Sequence, residues 1–393
     1  MLSRADVAAL DRDDPLAPYR ARFPLPAGIL YFDGNSLGAP AVGVRERVAQ
    51  VIEGEWGVGL IGSWDAGWLD LPRRVAGRLA PFLGVDGDEV AVADGTSVNL
   101  WKLLGAALAA RPGRRRLVAP AGNFPSDLYM AQAAAAQWGA ELVTVPAADL
   151  AAAVDGRTAV VTLSHVDFRT GELFDLAPLA EAAHSHGALL LADLSHSVGA
   201  LPLRLAEWGV DLAVGCGYKF LAGGPGAPAF LVVRRPLQAE LRSPLPGWLG
   251  HADPFGFEVA YRPAPGVDRF LCGTPPILSL AALDAALVAW QGIDLDMVRC
   301  WSSSLGELFI ALADRELAPL GVTVASPRQA ARRGAQVSLR HPRGRALVAA
   351  LGAGGVIGDF RPPDLLRFGL HPLYLRHADV AAAVTACGEL LSP

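Results

Sequence analysis

The chain reads as an α/β protein: a mainly parallel sheet covered by helices on both sides, followed by a smaller C-terminal α+β domain. Three observations predict this. At 393 residues the chain exceeds the length at which one core usually stops growing, roughly 250–300 residues, so two domains are expected. From about residue 85 to 235, short apolar runs alternate with helix-like stretches, the pattern of strands joined by crossover helices. After about residue 275 that alternation stops.

Taken in order, residues 1–28 read as an N-terminal arm with a short helix and several prolines. Residues 29–275 read as the large domain. Its apolar runs are Arg116–Pro120, Glu141–Pro146, Thr158–His165, Ala188–Asp193, Leu212–Cys216 and Ala229–Val233, which suit strands buried on both faces. Ser126–Trp138 and Leu176–His186 lie between them as helices, each ending near a glycine, Gly139 or Gly187. Residues 276–393 read as the small domain. Helices are expected at Leu278–Gln291, Met297–Leu317 and His377–Leu391, and short strands at Gly334–Arg340 and Leu365–Gly369.

Composition narrows the function classes. Hydrophobic content of 52% with 19% charged residues excludes a disordered chain. No stretch has the roughly 18 uncharged apolar residues of a membrane span. The opening residues carry acids and lack the apolar core of a signal peptide, so a cytoplasmic protein is expected. Cys216, Cys272, Cys300 and Cys387 are scattered without metal-ligand spacing and read as buried thiols; no metal is expected. Net charge is −5, and the Arg114–Arg116 cluster reads as a solvated turn rather than a nucleic-acid surface.

Ligands of such sheets bind beyond the carboxyl ends of the strands, and four segments there carry chemistry. In Cys216-Gly-Tyr-Lys-Phe-Leu-Ala-Gly-Gly-Pro-Gly226 a lysine follows a buried strand and precedes a glycine-rich loop. A buried lysine has a lowered pKa, which suits Schiff-base chemistry, although an isolated lysine in a turn is more often an ordinary surface residue. In Asp193-Leu-Ser-His196 an acid stands at the mouth of a buried strand, fit to pair with a protonated pyridine nitrogen or to cap a helix. Asp94-Gly-Thr-Ser-Val-Asn99 leads into an apolar helix, Leu100–Ala110, whose N-terminus would bind a phosphate or carry a plain Ser/Thr cap. In Asn123-Phe-Pro-Ser-Asp127 an aromatic ring can stack on a flat cofactor with an acid beside it.

That order of phosphate turn, aromatic–acid loop, strand-end aspartate and lysine resembles the fold-type I enzymes that use pyridoxal 5′-phosphate (PLP). Finer segments resemble the kynureninase family: Tyr31-Phe-Asp-Gly-Asn-Ser-Leu-Gly38, Phe124-Pro-Ser-Asp127, Asp193-Leu-Ser-His196, Tyr218-Lys219, Gly247-Trp-Leu-Gly-His251, Gly273-Thr-Pro-Pro276 and Arg367-Phe-Gly. The resemblance implies PLP as cofactor and Lys219 as its Schiff-base lysine, with Tyr218 as proton donor. It implies that Phe124 stacks on the pyridine ring near Asp127, Asp193 pairs with the ring nitrogen, His196 contacts the cofactor, and Thr96, Ser97, Ser164 and Tyr218 line its site. Trp248 and Thr274 would reach the phosphate from a neighbouring subunit of a homodimer. Ser36, Trp64 and Arg367 would bind substrate, Arg367 through the α-carboxylate. The reaction so implied is hydrolytic Cβ–Cγ cleavage of L-kynurenine to anthranilate and L-alanine in tryptophan catabolism, with 3-hydroxykynurenine a second candidate substrate. The apolar face and single N–H of Trp64 predict that 3-hydroxykynurenine is the poorer one. The alternatives are a cysteine desulfurase or selenocysteine lyase, which carry histidine before the lysine where this chain has Tyr218, and a non-catalytic PLP-binding protein.

Overall fold

The computed structural model describes residues 4–392; the first three residues of the arm and Pro393 lie outside it. Seven strands form the large sheet: β1 (Val90–Val92), β2 (Arg116–Pro120), β3 (Glu141–Val145), β4 (Thr158–Ser164), β5 (Leu189–Asp193), β6 (Leu212–Cys216) and β7 (Ala229–Val233). Their order is β1-β7-β6-β5-β4-β2-β3. The five strands from β6 to β3 run parallel, while β7 is antiparallel to both β6 and β1.

Side chains alternate between the faces of a strand, so an all-apolar strand feeds two cores. Leu189 and Leu191 of β5 enter one cluster and Leu190 and Ala192 the other. The first core is closed by α1 (Leu71–Leu83), α4 (Leu176–Ser185) and part of α5 (Ile277–Ala289). The second is closed by α2 (Thr96–Ala110) and α3 (Pro125–Trp138). Gly139 ends α3 at φ +61°, a left-handed turn that a side chain would strain.

The C-terminal domain stacks α6 (Leu295–Leu312), α7 (Gly344–Ala353) and α8 (His377–Leu391) on an antiparallel sheet of β8 (Thr323–Val324), β9 (Gln336–Arg340), β10 (Asp359–Arg361) and β11 (Leu365–Gly369), ordered β10-β11-β9-β8. Its core also takes in Leu16, Phe23, Phe32 and Ala39. Leu30–Tyr31 pairs in parallel with Val356–Ile357.

Several sequence expectations need correction. Glu141–Val145 is an edge strand with Glu141 and Thr144 exposed and no residue fully buried, not a strand buried on both faces. The helix expected to run to Leu317 gives way at Ala313 to a wider π turn. Cys216 and Cys387 are buried, but Cys272 is half-buried and Cys300 is exposed. The strand Val90–Val92 and helix Leu71–Leu83 were not singled out from the sequence. Among the described residues no helix is long and apolar enough to cross a membrane.

Candidate active site

The carboxyl ends of β4, β5 and β6 meet the N-terminal ends of α2 and α3 around a cavity of about 320 Å³. It is lined by Thr96, Ser97, Phe124, Asp127, Ser164, Asp193, His196, Tyr218 and Lys219. Residues up to 123 positions apart in the chain, from Thr96 to Lys219, thus share one chamber.

At the floor lie two carboxyl groups. Asp193 is the last residue of β5, and its Oδ1 accepts hydrogen bonds from the Ser195 amide (2.8 Å) and hydroxyl (2.6 Å). Asp127, in the first turn of α3, accepts from the Ser164 hydroxyl at 3.3 Å. The Asn123 Oδ1 in turn takes the Ser164 amide at 2.9 Å, so Asn123 and Ser164 fix the loop that leads into α3 and Asp127. Burial, and then the Asp193 charge beside it, push the Asp127 carboxyl well above its ordinary range. Two buried carboxyl groups thus stand in one chamber with no cation from the described residues between them, a place that a protonated ring nitrogen would fill.

At one wall stand Thr96 and Ser97. Gly95 occupies the N-cap and no side chain caps α2, so the amides and hydroxyls of the first turn remain available to an anion. Behind them lies a pairing the sequence reading missed. Lys102 is fully buried, and its ammonium pairs with Asp94 and donates to the Phe270 carbonyl at 2.7 Å. Asp94 itself adopts φ +53°. The available signal was a lysine inside the apolar run Trp101–Ala110.

Lys219 follows β6 on the opposite wall, half-buried, its Nζ 5.9 Å from the Tyr218 ring centroid. The chain has two lysines, Lys102 and Lys219, and only Lys219 reaches the cavity. The Gly38 amide donates to the Tyr218 carbonyl at 2.8 Å, and a side-chain carbon at Gly38 would collide with the Lys219 carbonyl. The Tyr218 hydroxyl is held protonated: burial first, then Cys216, raise it above the usual phenol range. His196 is kept neutral by burial and by the nearby charges of Lys219, Arg367 and Arg361.

Arg367 and Ser36 come together beside this chamber rather than in its lining. Register pairs Asp359 with Arg367 across β10 and β11, so the two side chains share a face. Arg367 Nε donates to Asp359 at 2.6 Å, Nη1 to the Phe168 carbonyl at 2.6 Å and Nη2 to the Ser36 hydroxyl at 3.1 Å. Phe168 lines the chamber and meets Phe124 edge-to-face at 5.0 Å. Asp33, in the same cluster, is raised to about 6 by burial and by Asp359. Asp33, Phe168, Asp359 and Arg361 were not singled out from the sequence; a strand register cannot be read from composition.

Three expected residues lie elsewhere in the single chain. Trp64 packs edge-to-face on Trp68 at 5.4 Å, away from the chamber lining. Trp248, 39% exposed, packs on Phe255, and Thr274 is exposed. The Leu249 amide bonds the Cys272 carbonyl at 3.3 Å, which sets the Trp248 and Thr274 segments side by side at the surface.

Comparison with known proteins resolves the family. The chain is 46% identical over 400 residues to kynureninase from Burkholderia mallei, covering 100% of this chain and 96% of that protein. It is 47% identical to kynureninase from Deinococcus radiodurans, covering 99% and 97%. The chain belongs to the kynureninase family. A family profile described as the kynureninase C-terminal domain matches residues 298–387, which span α6 to α8. Among solved structures, an apo cysteine desulfurase from Thermococcus onnurineus has the same fold, with a TM-score of 0.82 over 95% of this chain and 98% of that one, at 19% identity. That likeness is one of architecture, and the full-length kinship to kynureninases is the closer relation. The fold is therefore that of the PLP-dependent class, and the amine, the acid pair and the open helix end fit the aldehyde, ring nitrogen and phosphate of that cofactor.

Proposed function

We infer that the chain catalyses the kynureninase reaction, in which water cleaves the Cβ–Cγ bond of L-kynurenine to release anthranilate and L-alanine. Full-length identity to kynureninases supports this, and the observation that carries it in the structure is Lys219, the one lysine in a chamber that ends in paired carboxyl groups. Bound PLP supplies the electron sink that makes the substrate α-carbon acidic and the Cβ–Cγ bond breakable.

The residues divide that work. Thr96, Ser97 and the first turn of α2 hold the phosphate. Phe124 would hold the cofactor ring, Asp193 with Asp127 would keep its nitrogen protonated, and Ser164 and His196 would contact it. The Lys219 amine would hold the cofactor and, when free, would take the substrate α-proton. Tyr218 stays protonated near neutral pH and would donate a proton to the Cβ of the alanine part that remains once anthranilate has left. Ser36 and Arg367 face the substrate α-carboxylate; Arg367 shares its guanidinium between that task and Asp359.

The same reading makes the enzyme a homodimer with shared sites, in which Trp248 and Thr274 complete the partner's phosphate pocket and Trp64 borders the aryl pocket. Exposed apolar side chains support it: Val58, Leu60 and Ile61 near Trp64, and Phe255 and Phe257 near Trp248. Purified protein given L-kynurenine should develop anthranilate fluorescence, and Lys219→Ala should abolish it. A cofactor-loaded protein that leaves kynurenine intact would refute the reading.

A further inference from the structure

A second cavity, about 660 Å³, is larger than the chamber that holds Lys219. It opens between the two domains. One side is the loop after β4 and the segment after β5, with Phe174, Leu201 and Trp208; the other is Arg299 of α6 with Arg332. His165 forms part of the lining. None of these residues has a part in the reaction described above.

Three features make this a built site rather than a seam. The first is His165, which is 4% exposed, with neither ring nitrogen bonded to any described residue. Its Nδ1 is enclosed, so Nε2 is the nitrogen left accessible. Burial, then the Arg299 charge, lower this histidine to about 3, so the ring is neutral and carries one proton. Placing that proton on Nε2 leaves only a lone pair unpaired inside and turns a donor outward. The second feature is Arg299. It donates to the carbonyls of Arg333 (2.7 Å) and Ala330, and among the described residues no carboxylate pairs with it. Glu172 and Asp175 also line the cavity; Glu172 pairs with Arg332, and Asp175 caps α4 by accepting from the Ala177 amide at 3.2 Å. The third feature is the half-buried indole of Trp208, which meets the His165 ring at 5.7 Å, with Phe174 close by.

A cation without an acid, a neutral N–H donor and flat apolar walls select one chemistry. We propose that this interdomain cavity binds a small aromatic carboxylate, its carboxylate on Arg299 and His165 and its ring against Trp208. The volume suits such a ligand with room to spare. Strand β4 links the two cavities, because Ser164 lines the cofactor chamber and His165, the next residue, lines this one. The inference concerns binding and stands whether or not the reaction assigned above is correct.

The test uses cofactor-loaded protein with benzoate as probe and benzamide as neutral control, followed by saturation-transfer NMR and by the cofactor absorption band. Saturable benzoate binding that leaves the band unmoved is expected, with benzamide at least roughly tenfold weaker for want of the charge-assisted contact. Arg299→Gln and Trp208→Ala should each weaken benzoate by roughly tenfold or more while the cofactor band and kynurenine turnover stay as in wild type. Arg299 also holds two backbone carbonyls, so Trp208→Ala, on a separate segment, keeps the test decisive if Arg299→Gln unfolds. Benzoate should raise the unfolding midpoint of wild type but not of Trp208→Ala. Absence of saturable binding, or binding that shifts the cofactor band and survives both substitutions, would overturn the proposal.

Discussion

At the scale of single residues, the site depends on which charges are left unanswered. Lys102 and Lys219 are the only lysines, and Lys102 is locked against Asp94. Borohydride treatment of cofactor-loaded protein should therefore attach a pyridoxyl group to one peptide, that of Lys219. A label on Lys102, or none, in a peptide map would contradict the assignment. Asp33 gives a pH signature. Its folded pKa of about 6 lies above the ordinary aspartate value of 3.8, so the folded state holds its proton more tightly than the unfolded chain. Stability from this group is present below about pH 4 and is lost as pH rises through about 6. Asp33→Asn should then match wild type in thermal unfolding near pH 4 and exceed it near pH 8, by about 1 kcal/mol after allowing for solvent screening. Equal midpoints at both pH values would show that Asp33 is not strained by Asp359.

At the scale of elements, two segments shape the site. The N-terminal end of α2 is braced by the Asp94–Lys102 pair just behind Thr96 and Ser97. Asp94→Asn would leave the Lys102 ammonium buried with a carbonyl alone and should cost about 3–5 kcal/mol. Asparagine tolerates positive φ, so backbone strain does not explain that loss, and adding Lys102→Met should recover most of it. Calorimetric melting of the single and double variants checks both statements. The Trp64–Trp68 turn is the second segment. Trp64 offers an apolar face and one N–H, so a ring hydroxyl buried against it without a partner would lose about 1–3 kcal/mol. L-Kynurenine should be favoured over 3-hydroxykynurenine by roughly tenfold to hundredfold in kcat/KM, and Trp64→His should narrow the ratio. An unchanged ratio in the variant would leave Trp64 a packing residue of its turn.

At the scale of the whole molecule, the Tyr31–Gly38 segment joins the halves. It hydrogen-bonds the C-terminal domain through Phe32 with Ile357 and Gly369, and reaches the lysine loop through Gly38 with Tyr218. Its glycines are required by close approach: Gly34 lies against the Tyr374 hydroxyl and Gly38 against the Lys219 carbonyl. Assembly is the remaining level. Lys219 lies inside the chamber, while Trp248 and Thr274 lie outside it on the same chain. If each chamber borrows Trp248 from its partner, a Lys219→Ala chain and a Trp248→Ala chain, each inactive, should regain activity when refolded together. In such a hybrid one chamber has both native residues. Mixtures no more active than their components, or a fully active monomer by light scattering, would exclude shared sites.

The alternation of apolar runs and helices was legible in the sequence because it is local. The buried strands are runs of mostly apolar residues, and some helices carry their own stop signal, as Gly139 does for α3. Thr96, Phe124, Asp127, Asp193 and Lys219 could be singled out for a related reason. Parallel strands deliver their carboxyl ends to one edge of the sheet, so residues at strand ends converge whatever the loops do. Contacts between distant segments were not legible. Ser36 meets Asp359 across 323 residues, and Arg367 meets the Phe168 carbonyl across 199. The partner of Arg367 follows from the register of β10 on β11, and a slip of one residue would turn the side chain to the other face. The pairing of Lys102 with Asp94, the raised Asp33 and the His165–Arg299 cavity belong to the same class. Sequence periodicity specifies which face of an element is apolar, but which buried charge finds a partner depends on how two remote elements dock, and only the tertiary structure decides that.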